Sequence, residues 1–265
     1  MAAVPAATLE GSILEAARIG DRDTVVAWLD SPGADVNAVG HDGMSLLMAV
    51  ACRYGEDAPT RDAEASLEVA RELLRRGADV NLELVRPSFE NVGAFEMSLS
   101  CLNAVFVSDD AAPEFVRDFA YLLIDAGSQV SELCVFTLLQ MFVNGQSSRC
   151  LAEIFFKLLR AGAPMRTIPT YFQQRSTPAL AQDEHWSACR ALAEGVQAAG
   201  GSWARYRRMQ RKEVLRLRSL VLRGRAPREL ADDAIMKPIF RLPNELAWKV
   251  LGFWRATSDI TGEVI

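Results

Sequence analysis

One short phrase recurs along this chain and constrains its fold more than any other feature. Leu-Leu-Arg-Arg-Gly-Ala-Asp-Val-Asn ends at Asn81, and Gly-Ala-Asp-Val-Asn also occupies residues 33–37. Degenerate copies begin at Gly127 (Gly-Ser-Gln-Val-Ser) and at Gly162 (Gly-Ala-Pro-Met). A glycine in this position can take the left-handed conformation that closes a helix, because it has no Cβ to clash. A helix ending that recurs predicts a structural unit that recurs, and therefore a stack of helical repeats.

The phrase resembles the end of an ankyrin repeat, and the segments that precede it support the same resemblance. That family opens each repeat with Thr-Pro-Leu-His-x-Ala-Ala, and the matching stretches here start at Ser45, at Ser100 and, more weakly, at Thr137. A Ser or Thr side chain at this position caps the helix by accepting from a backbone N–H. Ser12 with Glu15 has the spacing of a capping box in the first unit. The resemblance implies an all-α ankyrin-repeat solenoid of paired antiparallel helices that works by binding another protein.

The repeats are longer than the family pattern. Gly33, Gly77, Gly127 and Gly162 are separated by 44, 50 and 35 residues, against about 33 in ankyrin repeats. Solenoids place such surplus residues in loops, here at 56–65 and at 82–96, where the family extends a β-hairpin finger. Finger loops and first helices line the binding face of ankyrin proteins, so the resemblance implies a protein-binding site at His41, Tyr54, Phe89, Asn91 and Phe95. The alternative for the two phenylalanines is that they fold back onto the solenoid.

The sequence divides into two predicted segments. Residues 9–201 carry the repeats, which are clear to residue 165 and degenerate after it. Within them, Thr177-Pro178-Ala179-Leu180 and a helix from Glu184 to Ala199 form either a fifth repeat or a capping hairpin, because terminal repeats are atypical. Residues 202–265 carry a basic helix followed by a separate C-terminal helix.

The basic segment runs from Trp203 to Glu229. It holds two acids and ten cations, which are Arg205, Arg207, Arg208, Arg211, Lys212, Arg216, Arg218, Arg223, Arg225 and Arg228. An apolar stripe at helical spacing accompanies them, made of Val214, Leu217, Leu220 and Val221. A basic amphipathic helix can bind nucleic acid, an acidic membrane or calmodulin. No nucleic-acid-binding fold surrounds this segment, which favours an ordinary helix with a solvated arginine face, so a nucleic-acid partner is not expected.

The C-terminal helix carries a second motif. Leu-Pro-x-Glu-Leu-x-x-x-Val-Leu from Leu242 to Leu251 resembles the opening helix of an F-box, which docks onto the adaptor subunit of a cullin-type ubiquitin ligase. The resemblance implies a second protein-binding site at Leu242, Pro243, Leu246, Val250 and Trp254. Residues 217–223 followed by Leu242-Pro243 are similar to a SOCS box, which implies elongin as the partner instead. The remaining interpretation is that these helices only cap the solenoid.

Composition places the chain among ordinary globular proteins. Half of its residues are hydrophobic, about a quarter are charged and the net charge is −5, which does not select a partner. The five cysteines form no Cys-x-x-Cys pair, which favours a reducing compartment. The first residues lack the pattern of a signal peptide, and no apolar run is long enough to cross a bilayer. We therefore expect a soluble protein of the cytoplasm or the nucleus that does not bind a membrane.

Motifs for catalysis are missing from the sequence. His41 and His185 are the two histidines, and neither has metal-ligand spacing to another His or Cys. No phosphate-binding glycine loop and no Gly-x-Ser-x-Gly stretch occurs. The carboxylate pairs at residues 109–110 and 232–233 lie in polar segments, where solvated acids are the default. We predict a protein–protein interaction scaffold without cofactor, metal or enzymatic activity.

Overall fold

The computed structural model describes residues 9–52, 63–85, 98–107, 112–226 and 236–253. Its contacts divide the chain into two units, Met1–Ala163 and Pro164–Ile265. The described residues are mainly helical, so the predicted all-α architecture of paired helices is confirmed. The predicted boundary between repeats and C-terminal segment after residue 201 stays a prediction.

The first unit consists of helices stacked in two rows. The helices are α1 (Gly11–Ile19), α2 (Arg22–Leu29), α3 (Leu46–Ala51), α4 (Ala63–Arg75), α5 (Cys101–Phe106), α6 (Pro113–Asp125), α7 (Glu132–Val143) and α8 (Arg149–Arg160). The odd-numbered helices contact one another in order, α1 with α3, α3 with α5 and α5 with α7. The even-numbered helices form a second row in the same order, and each pair α1–α2 to α7–α8 packs together. Every repeat therefore buries its apolar side against its neighbours, as a solenoid requires.

Serine side chains begin four of these eight helices. Ser45, Ser100, Ser131 and Ser148 each accept a hydrogen bond from the backbone N–H three residues ahead, which satisfies a donor that the helix itself cannot pair. Two predicted starts are wrong. Helix α1 begins after Glu10 without a side-chain cap, and the Ser12 hydroxyl lies 3.4 Å from the Glu10 carboxylate. Thr137 lies inside α7, where its hydroxyl donates to the Leu133 carbonyl at 2.9 Å.

Gly77, Gly127 and Gly162 end α4, α6 and α8 as predicted, whereas α2 ends at Leu29 and Gly33 lies in the turn that follows. Gly33, Gly77, Gly127 and Gly162 have φ angles of 86°, 89°, 94° and 97°, a region that costs a residue with a Cβ about 1–2 kcal/mol. After α4, α6 and α8, the glycine N–H and the next N–H donate back to carbonyls of the last helical turn. Each such turn satisfies carbonyls that would otherwise lack a donor.

Two asparagines tie consecutive repeats together. The Asn37 side chain accepts from the Asp79 N–H at 2.7 Å and donates to the Gly77 carbonyl at 3.4 Å. Asn81 repeats both bonds one unit further along, to the Gln129 N–H at 2.7 Å and the Gly127 carbonyl at 3.3 Å. The asparagine that ends each clear copy of the phrase is therefore a bridge between repeats.

The third copy of the phrase cannot continue this ladder. Ser131 stands where Asn37 and Asn81 stand in the first two copies, and its hydroxyl caps α7 instead. The residue that would donate to it in the next copy is Pro164, which has no N–H. The side-chain acceptor and the backbone donor are therefore both missing between the third and fourth copies of the phrase. Pro164 is also the first residue of the second unit.

A β-hairpin leads into α5. Strands β1 (Glu83–Val85) and β2 (Ser98–Ser100) pair antiparallel, with Glu83 opposite Ser100 and Val85 opposite Ser98. This pairing confirms that the long insertion begins and ends as a hairpin finger. Leu99 lies in β2, and α5 begins at Cys101 directly after the Ser100 cap.

The second unit begins with three short or medium helices, α9 (Ile168–Arg175), α10 (Pro178–Gln182) and α11 (Glu184–Ala198). Thr177 and Asp183 cap α10 and α11 through their side chains. The Phe172 and Trp186 rings are buried with centroids 4.6 Å apart, and the indole N–H donates to the Ser176 hydroxyl at 3.3 Å. Helix α9 was not predicted. The two interpretations of this region, a fifth repeat or a capping hairpin, both stay predictions.

The rest of the second unit consists of α12 (Trp203–Leu222), α13 (Met236–Arg241) and α14 (Asn244–Phe253). Helix α12 contacts α11 and α13, and α13 contacts α14. A Cβ on Gly195 of α11 would lie 2.8 Å from the Tyr206 ring, so this glycine permits a close approach of α12. The predicted apolar stripe of α12 is only half-buried, and the residue of α12 that is buried is Arg218. Its guanidinium donates to the Leu242 carbonyl at the corner between α13 and α14.

Candidate protein-interaction surfaces

His41 lies at the tip of a tight hairpin between α2 and α3. Val39 and Ser45 form an isolated antiparallel bridge, and the Gly40 N–H donates to the Met44 carbonyl at 2.9 Å. The Asp42 carboxylate accepts from the Met44 N–H at 3.0 Å, which closes the tip. The base of this hairpin packs closely on α1, because a Cβ on Gly40 would lie 2.6 Å from the Leu14 side chain.

The tip of this hairpin offers a polar surface with one apolar side chain. His41 and Asp42 are exposed, and Val39 keeps 39 % of its surface accessible. At the edge of this surface, the guanidinium group of Arg18 in α1 lies 3.7 Å from the Asp42 carboxylate. An imidazole, a carboxylate and an exposed valine can together recognise a protein surface but form no catalytic pair. The other predicted residues of this site, Tyr54, Phe89, Asn91 and Phe95, lie outside the described residues.

The first helices of the two central repeats do not offer side chains to a partner. Every residue of α3 and of α5 is buried. The exposed apolar residues of the odd-numbered row lie on its outer helices, at Ile19 in α1 and Leu133 in α7, with 43 % and 40 % of their surfaces accessible. The sequence did not predict that either residue is exposed, because both occur in ordinary amphipathic segments.

Ion pairs connect the even-numbered helices of successive repeats. Arg76 lies 2.6 Å from Asp30 at the end of α2, and Lys157 of α8 lies 2.5 Å from Asp125 at the end of α6. Arg76 and Arg75 also hold the Glu72 carboxylate. Hydrogen bonds from Arg75 and Arg76 lower the pKa of Glu72 to about 2, from an ordinary value of 4.5. The pairs made with Asp30 and Asp125 connect consecutive repeats.

The cysteines are placed as packing residues. All five are buried, and no disulfide joins them. Burial raises the pKa of the Cys101 thiol to about 12 and raises the pKa of Cys189 as well. A thiol acts as a nucleophile in its thiolate form, and burial disfavours that form at Cys101 and Cys189. Among the described residues, no group of His, Cys, Asp and Glu is placed to hold a metal ion.

Helix α14 carries the predicted docking residues. The Pro243 carbonyl accepts from the Ala247 N–H at 2.8 Å, so the proline precedes the first turn. Pro243, Leu246 and Val250 are exposed, the last two by 47 % and 38 %. Spacings of three and four residues bring these side chains to one helical face. Leu242 is half-buried, Ala247 is fully buried, and Trp254 lies outside the described residues.

The two predicted interaction sites lie in different units. His41 belongs to the first unit and Leu242, Pro243, Leu246 and Val250 to the second. Among the helices that the structure describes, none combines the length and apolar character needed to cross a membrane.

Comparisons with known proteins bear on the first unit. The family model of the ankyrin repeat matches residues 42–83, which include α3, α4 and the start of β1. The match gives no evidence of an F-box or a SOCS box, and a comparison with curated proteins found no match. The ankyrin repeat is typically non-enzymatic. Residues 42–83 thus match one ankyrin repeat within an all-α ankyrin-type fold, and a repeat of this kind suggests a protein–protein interaction module.

Proposed function

We propose that this chain is a substrate adaptor, which holds a protein through its repeats and docks onto a cullin-type ubiquitin ligase through α14. The observation that carries the proposal is the exposure of Pro243, Leu246 and Val250 on one face of α14. The same residues match the F-box-like phrase, so the pattern and the accessible surface coincide.

The apolar face of α14 has the form of a helix that binds a partner. Ala247 is fully buried, so the helix is held by one side while Leu246 and Val250 face water. Apolar side chains at such spacing are the anchors that a helix inserts into a groove of its partner. Burying a leucine and a valine from water contributes roughly 1.5–3 kcal/mol for each side chain. Leu246 and Val250 are about half-exposed in the free chain, so about half of this burial free energy is still available when a partner binds.

The substrate side of the proposal rests on the His41 hairpin. Its tip is exposed while its base is packed against α1, so the tip needs little reordering when a partner binds. Preorganised loops lose less conformational entropy on binding than flexible ones. The adjacent β1–β2 finger begins on the same side of the following repeat, because both hairpins join an even-numbered helix to the next odd-numbered one.

The docking site is tested with the double variant L246D/V250D in the full chain. Binding of the purified F-box-binding adaptor subunit and of the elongin complex is measured by titration calorimetry. We expect wild type to bind one of the two, and the double variant to lose binding by at least 100-fold. The matched control is I19D/L133D, which places two aspartates at positions of similar exposure, 43 % and 40 %, in the first unit.

The substrate site is tested separately, because its partner is held by other residues. A photo-reactive amino acid at position 41 identifies the partner in cells, and purified partner is then titrated against V39D and H41E. Both changes are expected to weaken this binding, whereas L246D/V250D leaves it unchanged. If V39D and H41E bind as wild type does, the hairpin is not the substrate site.

A purely structural role for α13 and α14 is the competing function. It is favoured by the Arg218 hydrogen bond to Leu242 and by the burial of Ile239 and Phe240, which anchor the segment within the second unit. In that case wild type captures neither adaptor nor elongin, and L246D/V250D lowers the stability of the second unit. The chain is then a binding module that acts through its repeats alone.

A further inference from the structure

The cations of α12 separate into two sets that the sequence did not distinguish. Arg205, Arg208, Lys212 and Arg216 are exposed, whereas Arg207 and Arg211 are half-buried and Arg218 is buried. With 3.6 residues per turn, the exposed four occupy an arc of about 80° around the helix axis. We call them the basic stripe. The partly buried set lies more than a quarter-turn away from the centre of the stripe.

The basic stripe carries charge that the described residues around it leave largely unneutralised. Arg216 lies 3.8 Å from Glu213, while Arg205, Arg208 and Lys212 form no ion pair within the described part of the chain. Nine of the 29 Lys and Arg residues and one of the 34 Asp and Glu residues fall in positions 203–226. This stretch therefore has a formal charge of +8, and the remainder of the chain has −13. A polyanion is attracted here and repelled elsewhere.

The chemistry of the stripe fits phosphate better than an acidic protein. Protein interfaces draw their energy from apolar or aromatic anchors in a desolvated centre, and the stripe has no such centre. Binding to a phosphate backbone needs regularly placed cations, and guanidinium groups match phosphate oxygens in pairs. Three of the four cations are arginines. Along the axis they span about 16 Å, the length of roughly five phosphates of one strand.

A membrane and calmodulin fit the helix less well. Both require the apolar side of an amphipathic helix to leave the protein. Val214, Leu217, Leu220 and Val221 are half-buried in a helix that contacts α11 and α13. The exposed large apolar residues of α12 are Met209 and Leu222, which lie thirteen residues apart and form no continuous surface to insert into lipid.

We propose that the basic stripe binds the sugar–phosphate backbone of a nucleic acid without reading its sequence. Contacts to phosphates position a protein on a strand but carry no base information. The site is independent of the proposed ligase docking, because it uses the exposed face of α12 and not that of α14.

The test is fluorescence anisotropy of the full chain with labelled 20-mers of mixed sequence, as duplex DNA and as single-stranded RNA, across a series of salt concentrations. Four phosphate contacts predict a slope of log affinity against log salt of about −3.6 for duplex and about −2.8 for single strands. The variant R205Q/R208Q/K212Q is expected to reduce the slope to about −1 and the affinity in 0.1 M salt on the order of 100-fold. Its fold is checked by circular dichroism.

The matched control is R71Q/R149Q/R190Q, which removes three arginine charges with side chains exposed by 51 %, 49 % and 41 % on other helices. It should bind within about threefold of wild type, because it has the same net charge as the stripe variant but keeps the stripe. If both variants lost the same affinity for nucleic acid, the loss would be due to net charge alone, and the proposal would be overturned. Tighter binding to polyglutamate or to phosphatidylserine vesicles than to either oligonucleotide would also overturn it. So would a wild-type chain that binds none of the four probes.

Discussion

The asparagine ladder provides the sharpest test of how the repeats hold together. Asn81 makes two hydrogen bonds to the following repeat, to the Gln129 N–H and the Gly127 carbonyl. Net contributions of about 0.5–1.5 kcal/mol per hydrogen bond predict that Asn81→Ala lowers the free energy of unfolding by about 1–3 kcal/mol. Asn37→Ala should cost a similar amount, because it loses the equivalent pair of bonds to Asp79 and Gly77.

Hydrogen exchange then locates the loss. The Gln129 amide is held by Asn81 and the Asp79 amide by Asn37, so each variant should expose one particular amide first. We expect Asn81→Ala to speed amide exchange at Gln129 about tenfold or more, and Asn37→Ala to do the same at Asp79. A loss of about 1.4 kcal/mol raises the equilibrium constant for local opening about tenfold. The global stability is measured in parallel by urea unfolding.

A matched control separates the ladder from the general effect of removing an asparagine. Asn144 is exposed and accepts from the Gln140 side chain at 2.9 Å, so Asn144→Ala should change stability by less than about 0.5 kcal/mol. The reasoning is refuted if Asn81→Ala is as mild as this control. It is refuted equally if the two ladder variants speed exchange at the same amides.

Three further predictions follow from single contacts. Gly77→Ala should lower the free energy of unfolding by about 1–2 kcal/mol through its φ of 89° alone, since its Cβ would meet no atom within 4 Å; an unchanged urea midpoint would contradict the left-handed turn. Gly195→Ala should destabilise the second unit because the new Cβ would lie 2.8 Å from the Tyr206 ring, and G195A/Y206L should recover part of the loss in thermal unfolding. Glu72→Gln should destabilise at neutral pH, and the difference from wild type should vanish as the pH falls from 4.5 towards about 2, because the two arginines lower the pKa of the folded carboxylate. If the stability difference between wild type and Glu72→Gln grew as the pH fell, the lowered pKa of Glu72 would be contradicted.

Much of the first unit could be predicted because its signals are local. A left-handed glycine such as Gly77, and a serine cap such as Ser45, act within four residues of their own position. Their sequence patterns therefore carry most of the information needed. The predictions failed where two local signals competed. Thr137 resembled the start of a repeat, but Ser131 six residues earlier caps the helix that contains it.

The candidate sites were only partly predictable. The exposure of Pro243, Leu246 and Val250 agrees with the pattern of an unpartnered helix face, although their role as a docking site stays a prediction. For Ile19 and Leu133 no pattern distinguished exposed from buried apolar residues, since both occupy amphipathic helices. Exposure of a side chain depends on what a distant segment places against it.

The sequence by itself determined that the chain folds as stacked helix pairs and where α4, α6 and α8 end. These follow from the conformational limits of single residues and from a repeat that recurs along the chain. Only the tertiary structure decided which cations of α12 face water and that Arg218 is buried beside the Leu242 carbonyl. The seven cations of α12 look alike in a sequence. Their separation arises because α11 and α13 cover one side of α12, and that coverage is a property of packing between segments far apart in the chain.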